Sequence, residues 1–402
     1  MDVPSLKERK MMPYDYLIIG SGMTAESAAH GIRDFDPKGT IAMIGKETDL
    51  PYDRPPLSKG LWKGKPLDSI WRNMDGLEIT LHLGRRVVSI NAEELSARDD
   101  AGNDYSAGKI LLATGGKPRR LPFGGDEIIY YRTLADYRRL SKLCETGQDF
   151  VVIGGGFIGS EIAAALAMNG KHVKMIFPED GIGARVYPYD LSQFLNDFYR
   201  QKEVTVLTGE TVTGTRTDAG RIVLALQSGK ELAADGVVAG IGIRPNVELA
   251  QAAGLQVNAG ILVDEMLATS QPGIYAAGDV AEFFNPSLGK RLRVEHEDNA
   301  NSMGRLAGRN MAGASQPYHY LPYFYSDLFE LGYEAVGELD ASLATVEDWQ
   351  EPFRKGAVYY LRDGRLSGVL LWNLWDKIPK ARKLVDQAGP FDRGKARETL
   401  DF

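Results

Sequence analysis

Two glycine-rich turns constrain the fold of this chain more than any other feature. The first is Gly20-Ser21-Gly22-Met23-Thr24-Ala25 and the second is Gly154-Gly155-Gly156-Phe157-Ile158-Gly159. Each turn follows an apolar run typical of a buried parallel strand and precedes small residues typical of a packed helix. In such a unit the first glycine makes the turn, the second admits a pyrophosphate, and the third lets the helix pack closely. Two such units predict that the chain binds two dinucleotides, with electron transfer between them.

Composition places the chain among ordinary globular proteins. Its 402 residues allow two or three domains, and 44% hydrophobic and 25% charged residues are typical of a soluble protein. The formal net charge of -7 offers no basic field for nucleic acid, so no nucleic-acid partner is predicted. No apolar run reaches the roughly 18 residues of a membrane span. Residues 1–13 lack the features of a targeting signal, so the expected location is cytoplasmic.

Cysteine usage excludes one class of chemistry. Cys144 is the single cysteine of the sequence. A flavoprotein that reduces disulfides through its own dithiol needs two cysteines, so this chain does not belong to that class. The helical pattern around Cys144 favours a packing residue, and a redox-active single thiol is the alternative.

Several residues near the first turn are candidate ligands of an adenine dinucleotide. Glu47 follows the second strand, where an acidic residue can bind ribose hydroxyls; the alternative is a solvated loop charge. A predicted strand at residues 109–116 ends in the small residues Ala113, Thr114 and Gly115, which would let backbone approach a cofactor. Asp279, after Gly278, would accept a bond from a ribityl hydroxyl or else cap the helix predicted at residues 299–311.

The second turn begins a similar unit, whose later strand is predicted at residues 236–242. The loop after its second strand carries Glu179 and Asp180, which would repel a 2′-phosphate and therefore favour NADH over NADPH. Arg185, nearby, is the feature that argues against this choice. Towards the C-terminus, alternating apolar runs around the turn Arg362-Asp363-Gly364 predict a hairpin in a smaller third domain.

Taken in order, these motifs resemble the two-dinucleotide flavin enzymes of the pyridine nucleotide-disulfide oxidoreductase family, and within it the apoptosis-inducing factor-like members and the ferredoxin and rubredoxin reductases. The segments that carry the resemblance, besides the two turns, are Arg54-Pro55-Pro56-Leu57-Ser58-Lys59, Ala113-Thr114-Gly115, Phe177-Pro178-Glu179, Ala277-Gly278-Asp279, Arg293-Val294-Glu295-His296 and Gly332-Tyr333-Glu334-Ala335-Val336-Gly337.

The resemblance implies an α/β chain with two Rossmann-like domains and a smaller α+β C-terminal domain. FAD would bind a discontinuous domain, residues 14–132 and 256–317. NADH would bind residues 133–255, and residues 318–402 would form the C-terminal domain. No metal site is predicted.

The resemblance also implies roles for individual residues. Lys59 and Glu161 would form an ion pair beside flavin N5; a purely structural salt bridge is the alternative. Phe157 would cover the flavin when NADH is absent, or else serve as a core residue. Glu295 and His296 would approach the nicotinamide carboxamide, although a lone histidine is often structural.

Tyr325 stands before Ser326-Asp327, where the family commonly has tryptophan, and would stack over less area. The residues expected to act in catalysis are Lys59, Glu161, Phe157 and His296. The full set expected to bind the cofactors is Gly20, Gly22, Ala25, Glu47, Arg54, Lys59, Ala113, Thr114, Gly115, Arg132, Gly154, Gly156, Phe157, Ile158, Gly159, Glu161, Glu179, Arg185, Gly242, Gly278, Asp279, Glu295, His296 and Tyr325.

The predicted function is an NADH-dependent FAD oxidoreductase that passes electrons to an external acceptor. Oxygen, a quinone and a small iron-sulfur protein are all open as that acceptor. An alternative of another class is a redox-sensing interaction protein, whose NADH-reduced flavin complex promotes a homodimer.

Overall fold

The computed structural model describes residues 11–387 and 389–402. The prediction that the N-terminus lacks a targeting signal concerns mainly residues 1–10, which lie outside the described residues. The described chain divides into two compact units, and the finer domain boundaries given above stay predictions. The first unit contains residues 11–53, Ile70–Lys117 and Pro245–Pro322, and the second contains Arg54–Ser69, Pro118–Arg244 and Tyr323–Phe402.

A seven-stranded sheet forms the centre of the first unit. Its inner strand Ile41–Gly45 is wholly buried, as an apolar strand covered on both faces of the sheet is expected to be. Five strands are parallel, in the order Ile79–Leu83, Ile41–Gly45, Met11–Ile19, Asp104–Leu112 and Ile274–Ala276. An antiparallel hairpin, Val87–Asn91 and Ser96–Asp99, extends the start of Asp104–Leu112.

The helix after the first glycine turn, Met23–Arg33, packs against the long helix Glu297–Met311. Glycines allow their backbones to touch: a Cβ at Gly308 would lie 1.9 Å from the Ala28 carbonyl oxygen, and one at Gly31 would lie 2.0 Å from that of Arg305. The remaining elements of this unit are the helices Glu248–Ala252 and Gly278–Val280 and the strands Ile261–Leu262, Ala281–Asn285 and Lys290–Leu292.

The second unit repeats the parallel arrangement. Its first sheet has the order Thr205–Leu207, His172–Ile176, Asp149–Ile153, Gly236–Ala239 and Ile128–Tyr130. A three-stranded antiparallel sheet accompanies it, formed by Val212–Asp218, Arg221–Leu226 and Glu231–Ala234. The helices of this part are Pro55–Ser58, Gly60–Lys63, Leu134–Thr146, Phe157–Met168 and Tyr189–Gln201. The chain passes between the two units in the short helix Leu67–Ile70 and in the strands Gly116–Pro118 and Ile243–Pro245.

The end of the second unit is an antiparallel sheet with two helices. The strand order is Tyr323–Leu328, Leu331–Gly337, Arg365–Trp372, Lys355–Arg362 and Ala344–Glu351, and the helices are Ile378–Asp386 and Arg393–Leu400. The predicted hairpin is confirmed. Its two central residues, Asp363 and Gly364, have φ values of 51° and 76°, as a type I′ turn requires.

The predicted fold class is therefore confirmed: two Rossmann-like parallel sheets and a smaller α+β part. Three element boundaries differ from the sequence expectation. The strand predicted at 109–116 is Asp104–Leu112, the one at 236–242 ends at Ala239, and the helix predicted from residue 299 begins at Glu297. The strands Asp104–Leu112 and Gly236–Ala239 end earlier than predicted because the chain leaves the sheet after them. Gly115 and Gly242, in the segments that follow, have φ values of 59° and 88°, which are outside the range of a β-strand.

The first and third residues of the second glycine turn, Gly154 and Gly156, differ in the room they leave for a side chain. Gly154 has a φ of 112°, and a Cβ there would lie 2.5 Å from the Gly240 carbonyl oxygen, whereas a Cβ at Gly156 would meet nothing within 4 Å. We therefore expect Gly154→Ala to destabilise the protein by about 1–3 kcal/mol or more, and Gly156→Ala to leave stability nearly unchanged. Urea unfolding of both variants without added nucleotide measures this difference, and equal losses would contradict the assignment.

Candidate active site

The first glycine turn has the shape of a dinucleotide cradle. Gly20 has a φ of 130°, and a Cβ there would lie 2.2 Å from the Ala113 carbonyl oxygen, so this position has no room for a side chain. Ala25 is fully buried in the helix, which is where the motif requires a small residue. Gly22 is the N-cap and offers no side-chain cap, which leaves the helix N-terminus able to receive a phosphate.

The second glycine turn has the same geometry. Gly156 is its N-cap, with φ and ψ of -83° and -169°, against -93° and -169° at Gly22. A Cβ at Gly159 would lie 2.0 Å from the Gly154 carbonyl oxygen, so the third glycine is sterically required in this copy. The open space beside Gly156 is the space that a pyrophosphate would fill. Both turns fit the cofactors that the sequence predicts.

Glu47 follows the strand Ile41–Gly45 and is half-buried. The Tyr52 hydroxyl donates a hydrogen bond to Glu47 Oε2 at 2.5 Å, and Tyr52 itself is buried. This contact fixes the carboxylate at the edge of the parallel sheet, as binding to a ribose would require. The role of Tyr52 was not predicted, although it lies in the proline-rich segment that follows Glu47.

The strand ends beside the first turn are held by reciprocal bonds. Thr114 Oγ1 donates to the Asn246 carbonyl at 2.9 Å, and Asn246 Nδ2 donates to the Thr114 carbonyl at 2.7 Å. Gly278, with a φ of 76°, approaches the first glycine helix so closely that a Cβ would lie 2.2 Å from Thr24 Oγ1. Asp279, the next residue, therefore lies beside that helix.

Asp279 does not cap the helix Glu297–Met311, because the N-cap of that helix is His296. The Asp279 carbonyl instead accepts a bond from Arg293 Nη1 at 2.9 Å, and Arg293 Nη1 also pairs with Glu295 Oε1 at 2.5 Å. Glu295 and His296 thus belong to the first unit, at the start of its long helix. Their proposed contact with nicotinamide stays a prediction.

The residues predicted to favour NADH over NADPH or to oppose that choice, Glu179 and Arg185, lie in the second unit. Arg185, which is 83% exposed, forms an ion pair with Glu179 Oε1 at 2.6 Å, so the Glu179 carboxylate offsets the positive charge of Arg185.

Two further contacts involve residues expected to bind the cofactors. The Gly242 carbonyl accepts a hydrogen bond from the Arg119 amide at 2.9 Å. Arg54 Nη1 donates to the Arg132 carbonyl at 3.0 Å, which joins the two arginines expected to bind FAD.

The ion pair implied by the resemblance is present. Lys59 Nζ lies 2.7 Å from Glu161 Oε1, and the two side chains are 12% and 3% exposed. Lys59 ends the stiff proline segment, in which Pro55 begins a short helix, and Glu161 lies in the second turn of the helix Phe157–Met168. Two hydroxyls that were not predicted complete the group, because Ser58 and Ser326 also donate to Glu161, at 2.6 and 2.5 Å.

Three aromatic side chains belong to the elements that hold this pair. Phe157 is half-buried and meets the edge of Phe324, with 5.8 Å between ring centroids. Lys59 Nζ lies 5.1 Å from the centroid of the Tyr325 ring. Neighbouring Ile158 is an exposed apolar residue. Phe157 is therefore not a core phenylalanine, and its partial exposure leaves it able to contact a nicotinamide or a flavin.

Comparisons with known proteins show the family of the chain. A family model described as pyridine nucleotide-disulphide oxidoreductase matches residues 14–304, and one described as the C-terminal part of mitochondrion-associated apoptosis-inducing factor matches residues 307–352 and 347–387. The chain therefore belongs to the pyridine nucleotide-disulphide oxidoreductase family, with an apoptosis-inducing factor-type C-terminal part. It is an NADH-dependent flavoprotein oxidoreductase, and FAD and NAD(H) are its cofactors.

Individual relatives are similar over nearly the whole length. The chain is 34% identical to apoptosis-inducing factor 1, mitochondrial, of Dictyostelium discoideum, covering 98% of this chain and 83% of the relative. It is 35% identical to the ferredoxin–NAD(+) reductase component of the anthranilate 1,2-dioxygenase system of Burkholderia cepacia, covering 92% and 93%. Putidaredoxin reductase, in its covalent complex with putidaredoxin, superposes with a TM-score of 0.89 at 29% identity, covering 95% of each chain.

These findings do not support the alternative of a redox-sensing protein controlled by dimerisation, and the homodimer and the cytoplasmic location stay predictions. None of the helices among the described residues has the length and hydropathy of a membrane-spanning segment.

Cys144 is a half-buried residue of the helix Leu134–Thr146, and burial raises its pKa to about 11. At neutral pH a thiol with this pKa is only roughly 0.01% thiolate, so it reacts slowly. We expect thiol labelling by an aromatic disulfide reagent to be at least about tenfold slower in the folded protein than in urea, and to accelerate as the pH approaches 11. Equally fast labelling of both states at neutral pH would favour the redox-active thiol.

Proposed function

We propose that this chain takes electrons from NADH and delivers them to a small iron-sulfur protein of the ferredoxin type. The observation that carries this proposal is the full-length similarity to proteins named as ferredoxin reductases, together with the superposition on a reductase solved with its redox partner. A single half-buried cysteine supplies no dithiol for a disulfide substrate, so electrons would leave the flavin directly for an external acceptor.

When bound, FAD supplies the hydride-accepting centre and the ability to release electrons singly. The residues of the chain would orient the two cofactors. Gly20 and Gly22 would hold the FAD pyrophosphate while Glu47 binds its ribose; Gly154 and Gly156 would do the same for NADH, with Glu179 on its ribose.

Lys59 would supply a fixed positive charge beside the flavin, which favours its anionic reduced form through electrostatics alone. Glu161 would hold that charge in place. Phe157 would occupy the nicotinamide position until NADH displaces it. Glu295 and His296 would contact the carboxamide, and Tyr325 would take the position of the usual tryptophan.

The acceptor is tested by offering several to the FAD-loaded protein with NADH in excess. We expect a [2Fe–2S] ferredoxin, followed through cytochrome c reduction, to be reduced at least about tenfold faster than a short-chain quinone or oxygen. If the partner docks through charges, added salt should slow the reaction. Faster reduction of the quinone, with the ferredoxin inert, would contradict the proposed acceptor while leaving the flavin chemistry intact.

A second prediction concerns Lys59. Lys59→Met removes the charge beside the flavin, so we expect NADH to reduce the flavin about tenfold more slowly in anaerobic stopped flow. Lys63→Met is the matched control, because Lys63 lies in the next short helix and forms a more exposed pair with Asp327 at 3.0 Å. Unchanged reduction kinetics in Lys59→Met would refute its role.

Lys59→Met also leaves the Glu161 carboxylate buried without its cation, which is destabilising. The double variant Lys59→Met/Glu161→Gln removes both charges and keeps the test valid if the single variant unfolds. We expect the double variant to remain folded and to reduce its flavin as slowly as the single variant.

A further inference from the structure

Glu161 is an acceptor for more donors than an ion pair requires. Its Oε1 atom accepts from Lys59 Nζ at 2.7 Å and from Ser326 Oγ at 2.5 Å, and its Oε2 atom accepts from Ser58 Oγ at 2.6 Å. The two serines are 5% and 1% exposed, and Glu161 is 3% exposed. Both oxygens of the carboxylate are thus held, from segments that are far apart in the sequence.

Each of the two serine hydroxyls donates a hydrogen bond to the Glu161 carboxylate. A hydroxyl has one proton to donate. Ser58 Oγ also lies 3.4 Å from the Pro55 carbonyl, but its 2.6 Å contact with an ionic acceptor is much the shorter. Ser326 is paired in register with Tyr333, whose buried hydroxyl also interacts with the Ser326 hydroxyl. Because an ionised acceptor binds a hydroxyl proton more strongly than a neutral one, and Ser326 Oγ lies 2.5 Å from Glu161 Oε1, the carboxylate is the preferred acceptor of the Ser326 proton.

The strand that carries Ser326 contacts three parts of the site with three successive residues. Side chains alternate along a strand, so Phe324 and Ser326 point to one face and Tyr325 to the other. Phe324 meets the Phe157 ring, Ser326 binds Glu161, and Tyr325 lies under the Lys59 ammonium. Lys59 thus contacts the Glu161 carboxylate, which this strand binds through Ser326, and the ring of Tyr325, which belongs to the same strand.

We propose that Ser326, with Ser58, is a positioning residue: the two hydroxyls fix the orientation of the Glu161 carboxylate, and through it the place of the Lys59 ammonium beside the flavin. This inference rests on the proposed role of Lys59. A charge acts on a reacting centre only where it is held, and rates are sensitive to small displacements. A carboxylate bound by lysine alone could rotate and take the ammonium with it, whereas hydroxyls on both oxygens prevent this.

The test compares Ser326→Ala with Ser326→Thr, which keeps the hydroxyl. In Ser326→Ala we expect the limiting rate of flavin reduction by NADH to fall about fivefold, with the dissociation constant for NADH within about twofold of the parent. The flavin midpoint potential, measured by dye-coupled titration without NADH, should become more negative, because the cation that favours the reduced form is less well held. Ser326→Thr should restore rate and potential at least in part.

Ser367→Ala is the matched control. Ser367 is a buried serine of the same antiparallel sheet, and it also donates to a carboxylate, Glu338 Oε2, at 3.1 Å. Ser367→Ala should lower the melting temperature without changing the rate or the potential. If Ser326→Ala changes only the melting temperature, as Ser367→Ala does, the positioning role is wrong.

A double-mutant cycle with Glu161 shows whether Ser326 acts through the carboxylate. In the Glu161→Gln background, adding Ser326→Ala should leave the reduction rate and the potential unchanged. Equal effects of Ser326→Ala in both backgrounds would overturn the proposal. If Ser326→Ala does not fold, Ser326→Cys, which has a similar size and a weaker donor, replaces it in the same cycle.

The potential separates this inference from the proposed function. A protein that reduces no ferredoxin, or accepts no electrons from NADH, fails the proposed function, yet its flavin potential still reports on Ser326. Conversely, efficient ferredoxin reduction with an unchanged potential and an unchanged reduction rate in Ser326→Ala refutes the positioning role alone.

Discussion

The close approach of one strand end to the next, at the first glycine of each turn, is the constraint on which the rest of the structure depends. Gly20 faces the Ala113 carbonyl and Gly154 faces the Gly240 carbonyl, both at distances where a Cβ does not fit. Because the backbones meet there, each following helix starts directly above its parallel sheet with an uncapped N-terminus. The placement of each helix, and of the N-terminus that we propose to bind a phosphate, thus has one steric cause in both units.

The second glycine helix extends this constraint to the charged group. Phe157 and Glu161 are four residues apart, so they share one face of the helix, about 6 Å apart along its axis. Their partners Phe324 and Ser326 are two residues apart on a strand, about 6.6 Å along it, and share one face of the sheet. Because the two spacings nearly match, one strand contacts both side chains, and the glycine turn sets the position of the aromatic ring and the carboxylate together.

Sequence reasoning recovered the parts of this arrangement that are local. The glycine turns, their parallel strands and the hairpin at Asp363 follow from patterns within short windows. The pairing of Lys59 with Glu161 came from resemblance, since nothing local relates residues so far apart. Ser326 and Tyr52 were missed because a lone serine or tyrosine has no periodic signature.

The same limit applies to Gly31 and Gly308, whose role appears only when two distant helices are packed together. Strand ends were predicted less well than strand centres, because glycines with positive φ redirect the chain after Leu112 and Ala239 without interrupting the apolar pattern.

The energetics of the buried charges argue that they serve function rather than stability. Removing a lysine and a glutamate from water is costly, and a well-packed apolar pair of similar volume is often as stable or more so. Two serines are also buried here to complete the hydrogen bonds of the carboxylate. Such an arrangement adds little to folding that apolar residues could not supply. Its distinctive property is a cation held in one place, and a fixed cation is useful where charge changes during a reaction, as it does on a flavin that is being reduced.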